Sequence, residues 1–140
     1  MEEAKKLNVV FDADALWLIT QSEMLRADVK WIACRGRVIL TPNLIEFKRL
    51  WDATSKSEMT NSLTPTPLPT IADELKFSEE YLPQEFGKID LYHPVVKPVA
   101  ELSRVFGNAI IIRKGITDIV SDGNQAFYAA LEGSKKRSGG

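Results

Sequence analysis

The chain has 140 residues, 44% hydrophobic and 26% charged, the size and composition of one ordinary soluble domain able to bury about two-thirds of the surface its unfolded form exposes. Eighteen basic residues against nineteen acidic give a formal charge of −1, which excludes a global electrostatic case for nucleic acid or an anionic membrane. Cys34 and His93 are each alone in the sequence, which excludes an intrachain disulfide and a His/Cys metal site, and no apolar run reaches the roughly 18–20 residues of a membrane span.

In chain order, "MEEAKKLN" has neither the apolar centre of a signal peptide nor the Arg-rich, acid-poor pattern of a transit peptide. The expected location is cytoplasmic, with a mitochondrial form of a full-length protein left open. Val9-Val10-Phe11 is a short β-branched and aromatic run ending at Asp12, as a buried parallel strand meets its C-terminal end. Asp14 is placed to cap a short helix carrying Leu16, Trp17 and Ile19, and "SEMLRADVKW" starts a second helix at Ser22. Val38-Ile39-Leu40 repeats the strand pattern and stops at Thr41-Pro42. The helix "NLIEFKRLW" follows, with Leu44, Phe47, Leu50 and Trp51 on one face.

Regular signal fades over residues 52–95. "SLTPTPLPT" reads as an exposed loop and "IADELKF" as one or two helical turns, so the segment is expected to be a Pro/Thr-rich insertion within a single domain. Helical pattern returns in "KPVAELSRVFGN", with Pro98 in the first turn and Gly107 at the stop. A third apolar strand spans Ala109–Arg113, and the Asp-Gly-Asn sequence predicts a hairpin at Ser121–Gln125. Three apolar strands separated by helices predict an α/β fold, a mainly parallel sheet flanked by helices with a C-terminal β-hairpin.

Polar residues follow each strand: Asp12 and Asp14, Asn43 and Glu46, Lys114 and Asp118. In open sheets of this class ligands bind beyond the carboxyl ends of the strands, so these groups are expected to face one crevice. Asn43-x-x-Glu46 is first a capping box, and its oxygens also suit Mg²⁺ with retained waters. Lys114-Gly115 is either a turn with a solvated lysine or a contact to a nucleotide phosphate or ribose. Lys135-Lys136-Arg137 before Ser138-Gly139-Gly140 is either a frayed end or half of a phosphate cradle. Trp17, Trp31 and Trp51 are expected in the core, and Cys34, lacking a readable partner, is not a nucleophile.

The ordered blocks "VVFDADALWLI", "VILTPNLIEFKRL", "IIIRKGITDIVSDG" and "EGSKKRSGG" together closely resemble the eukaryotic ATP-dependent NAD(P)H-hydrate dehydratases of the ribokinase-like superfamily, over roughly residues 8–51 and 96–140. The resemblance implies a partial ribokinase-like fold and ATP- and Mg²⁺-dependent repair of hydrated NADH and NADPH, functionally linked to an NAD(P)H-hydrate epimerase and without nucleic-acid or membrane partners. Carried over by position, it implies that Asn43, Leu44, Ile45, Glu46, Phe47, Lys48 and Arg49 bind the hydrated nucleotide, with Asn43 and Glu46 as candidate Mg²⁺ groups. It further implies that Lys114, Gly115, Ile116, Thr117 and Asp118 bind ATP together with Gly133, Ser134, Lys135, Lys136, Arg137, Ser138, Gly139 and Gly140. Family members continue past two glycines into a Gln-Gly-Asp triplet whose Asp is the catalytic base, so that base is expected beyond Gly140. They also begin with further strands and helices, so the expectation is a fragment of a larger domain, of low stability and inactive by itself. Two rivals are a non-catalytic nucleotide-binding or interaction fragment and a ribokinase-like small-molecule kinase, against which "TPNLIEF" argues modestly.

Overall fold

The computed structural model describes residues 8–57, 66–81 and 86–129. Their elements run β1 (Asn8–Phe11), α1 (Asp14–Gln21), α2 (Glu23–Ala33), β2 (Arg37–Leu40), α3 (Leu44–Ser57), α4 (Ile71–Tyr81), β3 (Phe86–Ile89), α5 (Lys97–Val105), β4 (Ile110–Arg113), β5 (Asp118–Ser121) and β6 (Ala126–Ala129). The strands form one sheet in the order β1-β2-β4-β5-β6-β3. Pairings β1–β2 and β2–β4 are parallel, whereas β4–β5, β5–β6 and β6–β3 are antiparallel.

The sheet is therefore mixed, which corrects the expectation of a mainly parallel one. Connection length is the physical reason. Parallel neighbours need a crossover of about a dozen residues or more, which helices supply between β1 and β2 and between β2 and β4. Only residues 114–117 join β4 to β5 and residues 122–125 join β5 to β6, so those strands fold straight back. The expected hairpin is present: Gly123 takes φ +87°, and Asp122 Oδ1 accepts from the N–H groups of Asn124 (2.9 Å) and Gln125 (3.1 Å).

Sequence chemistry sets the helix ends. Ser22 Oγ accepts from Leu25 N and opens α2. At α1 the expected cap by Asp14 is not seen: Ala13 holds the cap position at φ 45°, Asp12 Oδ1 accepts from Ala13 N, and Asp14 lies in the first turn. In the last turn of α1 the Ile19 and Thr20 carbonyls accept from the Arg26 guanidinium. Helix α5 ends in a Schellman motif, with Gly107 at φ +68° and Asn108 N donating to Ser103 O at 2.9 Å.

Two elements lie inside the stretch where regular signal was weak. Helix α4 is longer than the one or two turns expected and opens on a reciprocal capping box, Thr70 N to Asp73 Oδ2 (2.8 Å) and Asp73 N to Thr70 Oγ1 (3.1 Å). Strand β3 pairs with β6 at the sheet edge. Helix α3 also runs past Trp51 to Ser57.

The core joins Val38 and Leu40 of β2, Ile111 of β4, Ile119 of β5 and Tyr128 of β6 to Leu16, Leu50, Phe77, Val99 and Leu102 from the helices and to Phe106, which caps α5. Helix α5 packs on β4 and β5, and α3 packs on α1 and α5. Of the three tryptophans only Trp51 is core. Trp17 and Trp31 are 53% and 57% exposed, and Trp31 is covered by the Arg35 guanidinium, 3.8 Å from its ring centroid. A surface cation therefore takes the place of core packing there.

Leu102 is fully buried, so Leu102→Ala is expected to destabilise the chain by about 2–5 kcal/mol in denaturant unfolding. The outer edge of β1 has no partner strand among the described residues, and Val10 is 60% exposed. Open strand edges template association. The chain is expected to self-associate with rising concentration in sedimentation velocity, and Val10→Lys to suppress it.

Candidate functional site

The parallel strands β1, β2 and β4 are adjacent in the sheet, so their C-terminal ends lie side by side. Asp12 follows β1, Asn43 follows β2 and Lys114 follows β4. Beyond the last regular pairing, Asn43 and Lys114 form an isolated parallel bridge in which Lys114 N donates to Pro42 O at 2.8 Å. The Lys114 ammonium in turn lies 3.6 Å from Asp12 Oδ1. Asp12, Lys114 and the Asn43 backbone are thus neighbours at one edge of the sheet.

Each carboxylate there has a backbone task. Asn43 N donates to Glu46 Oε1 (2.9 Å) and Glu46 N to Asn43 Oδ1 (2.8 Å), the reciprocal capping box that starts α3. Gly115 N donates to Asp118 Oδ1 at 3.1 Å, which folds residues 115–118 back on themselves. Asp12 accepts from Ala13 N at 2.9 Å. The Thr41 hydroxyl first, then the Ala13 N–H and the Lys114 ammonium, hold the Asp12 carboxyl below its usual 3.8, against an opposing effect of burial. The Asp12–Lys114 pair is exposed, so it orients the lysine more than it stabilises the fold.

The 43–49 segment is divided by the helical period. Leu44, Ile45 and Lys48 line a cleft of about 460 Å³, Phe47 is buried against Trp51 and contributes to the cleft wall, and Arg49 is exposed. Lys48 also pairs with Asp52 at 2.8 Å. The cleft is completed by residues 68–71, by Val95, Pro98 and Val99 of the α5 approach, and by Arg113 and Glu74. Thr117 is buried, whereas Lys114, Gly115, Ile116 and Asp118 are partly exposed. The expected Gly133–Gly140 run lies outside the described residues.

Residues on α4 were missed. Glu74 makes a buried two-pronged ion pair with Arg113, with N–O distances of 2.6 and 2.7 Å. The signal lay in the Thr70-x-x-Asp73 capping pattern and in a charged residue ending the apolar run "IIIR". Strand alternation puts Arg113 on the same buried face as Ile111, where a guanidinium needs an acid. A second cavity of about 550 Å³ lies between α2 and the far end of α5, lined by Glu23, Arg26, Lys30 and Arg104. Arg26 and Arg104 donate there to the carbonyls of Ile19, Thr20 and Gly123, whereas the smaller cleft is lined by Arg113 at the end of β4 and by Leu44, Ile45, Phe47 and Lys48.

A family model described as NAD(P)H-hydrate dehydratase matches residues 2–72. The chain belongs to that family. It is 32% identical to the mouse ATP-dependent (S)-NAD(P)H-hydrate dehydratase over 138 residues, which is 99% of the chain and 29% of the mouse protein. Against the human protein of the same description identity is 30%, over all of the chain and 30% of the relative. Against the fission yeast one it is 34%, over all of the chain and 31% of the relative. The chain thus spans about three-tenths of the length of the curated dehydratases it matches.

Two outcomes follow from the geometry. Removing the cap in Asn43→Ala is expected to lower stability by about 0.5–2 kcal/mol in urea unfolding. Because the Asp12 carboxyl is depressed in the folded state, its stabilising contribution is complete above 3.8 and lost as pH falls through the folded midpoint. Carboxyl NMR titration is expected to place that midpoint below 3.8, with Thr41→Val raising it more than Lys114→Met.

Proposed function

We propose that this chain carries part of the ligand crevice of an enzyme that uses ATP to dehydrate (S)-NADHX and (S)-NADPHX, returning NADH and NADPH. The observation that carries the reading is the meeting of Asn43, Lys114 and Asp12 beyond three adjacent parallel strands, within a chain of the NAD(P)H-hydrate dehydratase family. Both halves of that crevice lie in segments that resemble nucleotide-contacting parts of the family.

The chemistry asks for positioning and charge balance. A ring hydroxyl is a poor leaving group and a phosphate a good one. Transfer of the ATP γ-phosphoryl group to the hydroxyl oxygen, with loss of the hydroxyl proton, prepares the C–O bond to break. Loss of phosphate and of a proton from the neighbouring carbon then restores the ring double bond. In this chain the partly exposed Lys114 ammonium, beside Asp12, is the group proposed to offset phosphate charge, with Gly115 letting backbone approach closely. A Cβ at Gly115 would stand 3.3 Å from both Arg113 and Leu44, so a larger residue would crowd the loop. An epimerase supplying the (S) hydrate is the reaction this one would follow.

Mg²⁺ beside Asn43 and Glu46 belongs to the same proposal, since their oxygens suit a cation that keeps much of its water. Asn43 and Glu46 are tied to each other's backbone, and no group of three His, Cys, Asp or Glu side chains gathers among the described residues. The same commitment of Asp12, Glu46 and Asp118 to backbone N–H groups favours a second reading for this chain alone, nucleotide binding without turnover, with the proton acceptor outside the described residues.

Titration calorimetry of the 140-residue chain with ATP and ADP tests the reading. Binding is expected in the micromolar to millimolar range, with Lys114→Ala weakening it about tenfold or more through loss of one charge-assisted contact. No binding at millimolar nucleotide would contradict it. Turnover of NADHX by the chain alone at the rate of a full-length relative would contradict the second reading.

A further inference from the structure

We propose that the buried Arg113–Glu74 pair is a positioning device for the Lys114–Asp118 loop, so that helix α4 sets the affinity of that loop for a nucleotide phosphate. The inference rests on the nucleotide reading above and adds to it two residues, one of them on an element outside the family-like blocks.

The geometry is specific. Arg113 is the last residue of β4, directly before the loop, and its side chain and that of Glu74 are each 2% exposed. One guanidinium fork grips both Glu74 oxygens, and NH2 also donates to Thr117 O at 2.9 Å. The Gly115 backbone lies against that nitrogen, since a Cβ there would meet Arg113 NH2 at 3.3 Å, and Gly115 N is held by Asp118. Residues 115, 117 and 118 are therefore tied to one another and, through Arg113, to α4. With Lys114 N fixed to Pro42 O, both ends of the loop are anchored.

Stability alone does not account for the pair. A buried ion pair can often be replaced by well-packed apolar residues without loss of stability, and here Arg113 Nε is buried without a hydrogen-bond partner. An apolar pair would fill the same space, but it could not hold the Thr117 carbonyl. What the ion pair adds is loop geometry, and a preordered loop binds with a smaller ordering cost.

Stability and affinity are then expected to rank two variants in opposite orders. Glu74→Gln leaves a buried guanidinium without its counter-charge and lowers stability, yet an amide oxygen still orients Arg113 toward Thr117. The double variant Glu74→Leu/Arg113→Met restores packing and loses the hold on Thr117. The test measures three things on the 140-residue chain: thermal unfolding, ATP affinity by calorimetry, and amide exchange at Gly115 and Thr117. The expected result is a double variant that unfolds cooperatively at or above the Glu74→Gln midpoint, binds ATP about tenfold more weakly than wild type, and exchanges both loop amides about tenfold faster. Glu74→Gln is expected to bind more tightly than the double variant although it is less stable. Affinity that simply follows stability, or loop exchange unchanged in a folded double variant, would overturn the proposal. If the wild-type chain binds no ATP, the nucleotide reading fails, and loop exchange still decides whether the pair orders the loop. Should the double variant not fold, unchanged loop exchange in Glu74→Gln combined with lost affinity would likewise overturn it.

Discussion

One backbone hydrogen bond, from Lys114 N–H to Pro42 O at 2.8 Å, carries the parallel alignment of β2 and β4 past the end of the sheet. Everything at the site depends on it. It places a segment that begins α3 beside one reached some seventy residues later, and it turns the lysine toward Asp12. Parallel pairing makes this possible, because the C-terminal ends of parallel neighbours fall on the same edge. The antiparallel part of the sheet has another role: it turns the chain back immediately after Lys114, so residues 114–117 form a short loop at the strand ends rather than the start of a crossover.

Packing around that bond trades stability for geometry. Asp12, Glu46 and Asp118 each hold a neighbouring backbone N–H, which fixes the crevice but commits the acidic groups within it. Beneath the loop, Arg113 sits at a buried strand position that an aliphatic residue would fill at less desolvation cost. Its acid comes from α4, whose Phe77 also packs edge-on against Tyr128 of β6. The helix is thus joined both to the core and to the crevice.

Much of this was legible in the residues. Apolar runs ending in polar groups marked β1, β2 and β4, the Asn43-x-x-Glu46 spacing marked the start of α3, and Asp-Gly-Asn marked the β5–β6 turn. Those signals are local, and local chemistry decided them. The mixed sheet was less visible, because a strand's direction depends on the length of the connection before it and not on its own composition. Trp17 and Trp31 misled because helical spacing identifies an apolar face without saying what covers it. Helix α4 was obscured by the proline-rich approach to Thr70, and its decisive residue, Glu74, looks like any surface acid until Arg113 is seen to be buried.

The family assignment explains why the separated blocks occur together, and the sheet explains how they meet. The central claim is that residues 43–46 and 114–118 form a single nucleotide-facing surface. An amide NMR titration of the 140-residue chain with ATP examines it most directly. The account predicts that resonances from both stretches shift together and saturate with one dissociation constant. If both stretches stay unperturbed while Ala27, Lys30 and Phe106, at the cavity between α2 and α5, shift instead, the account is contradicted.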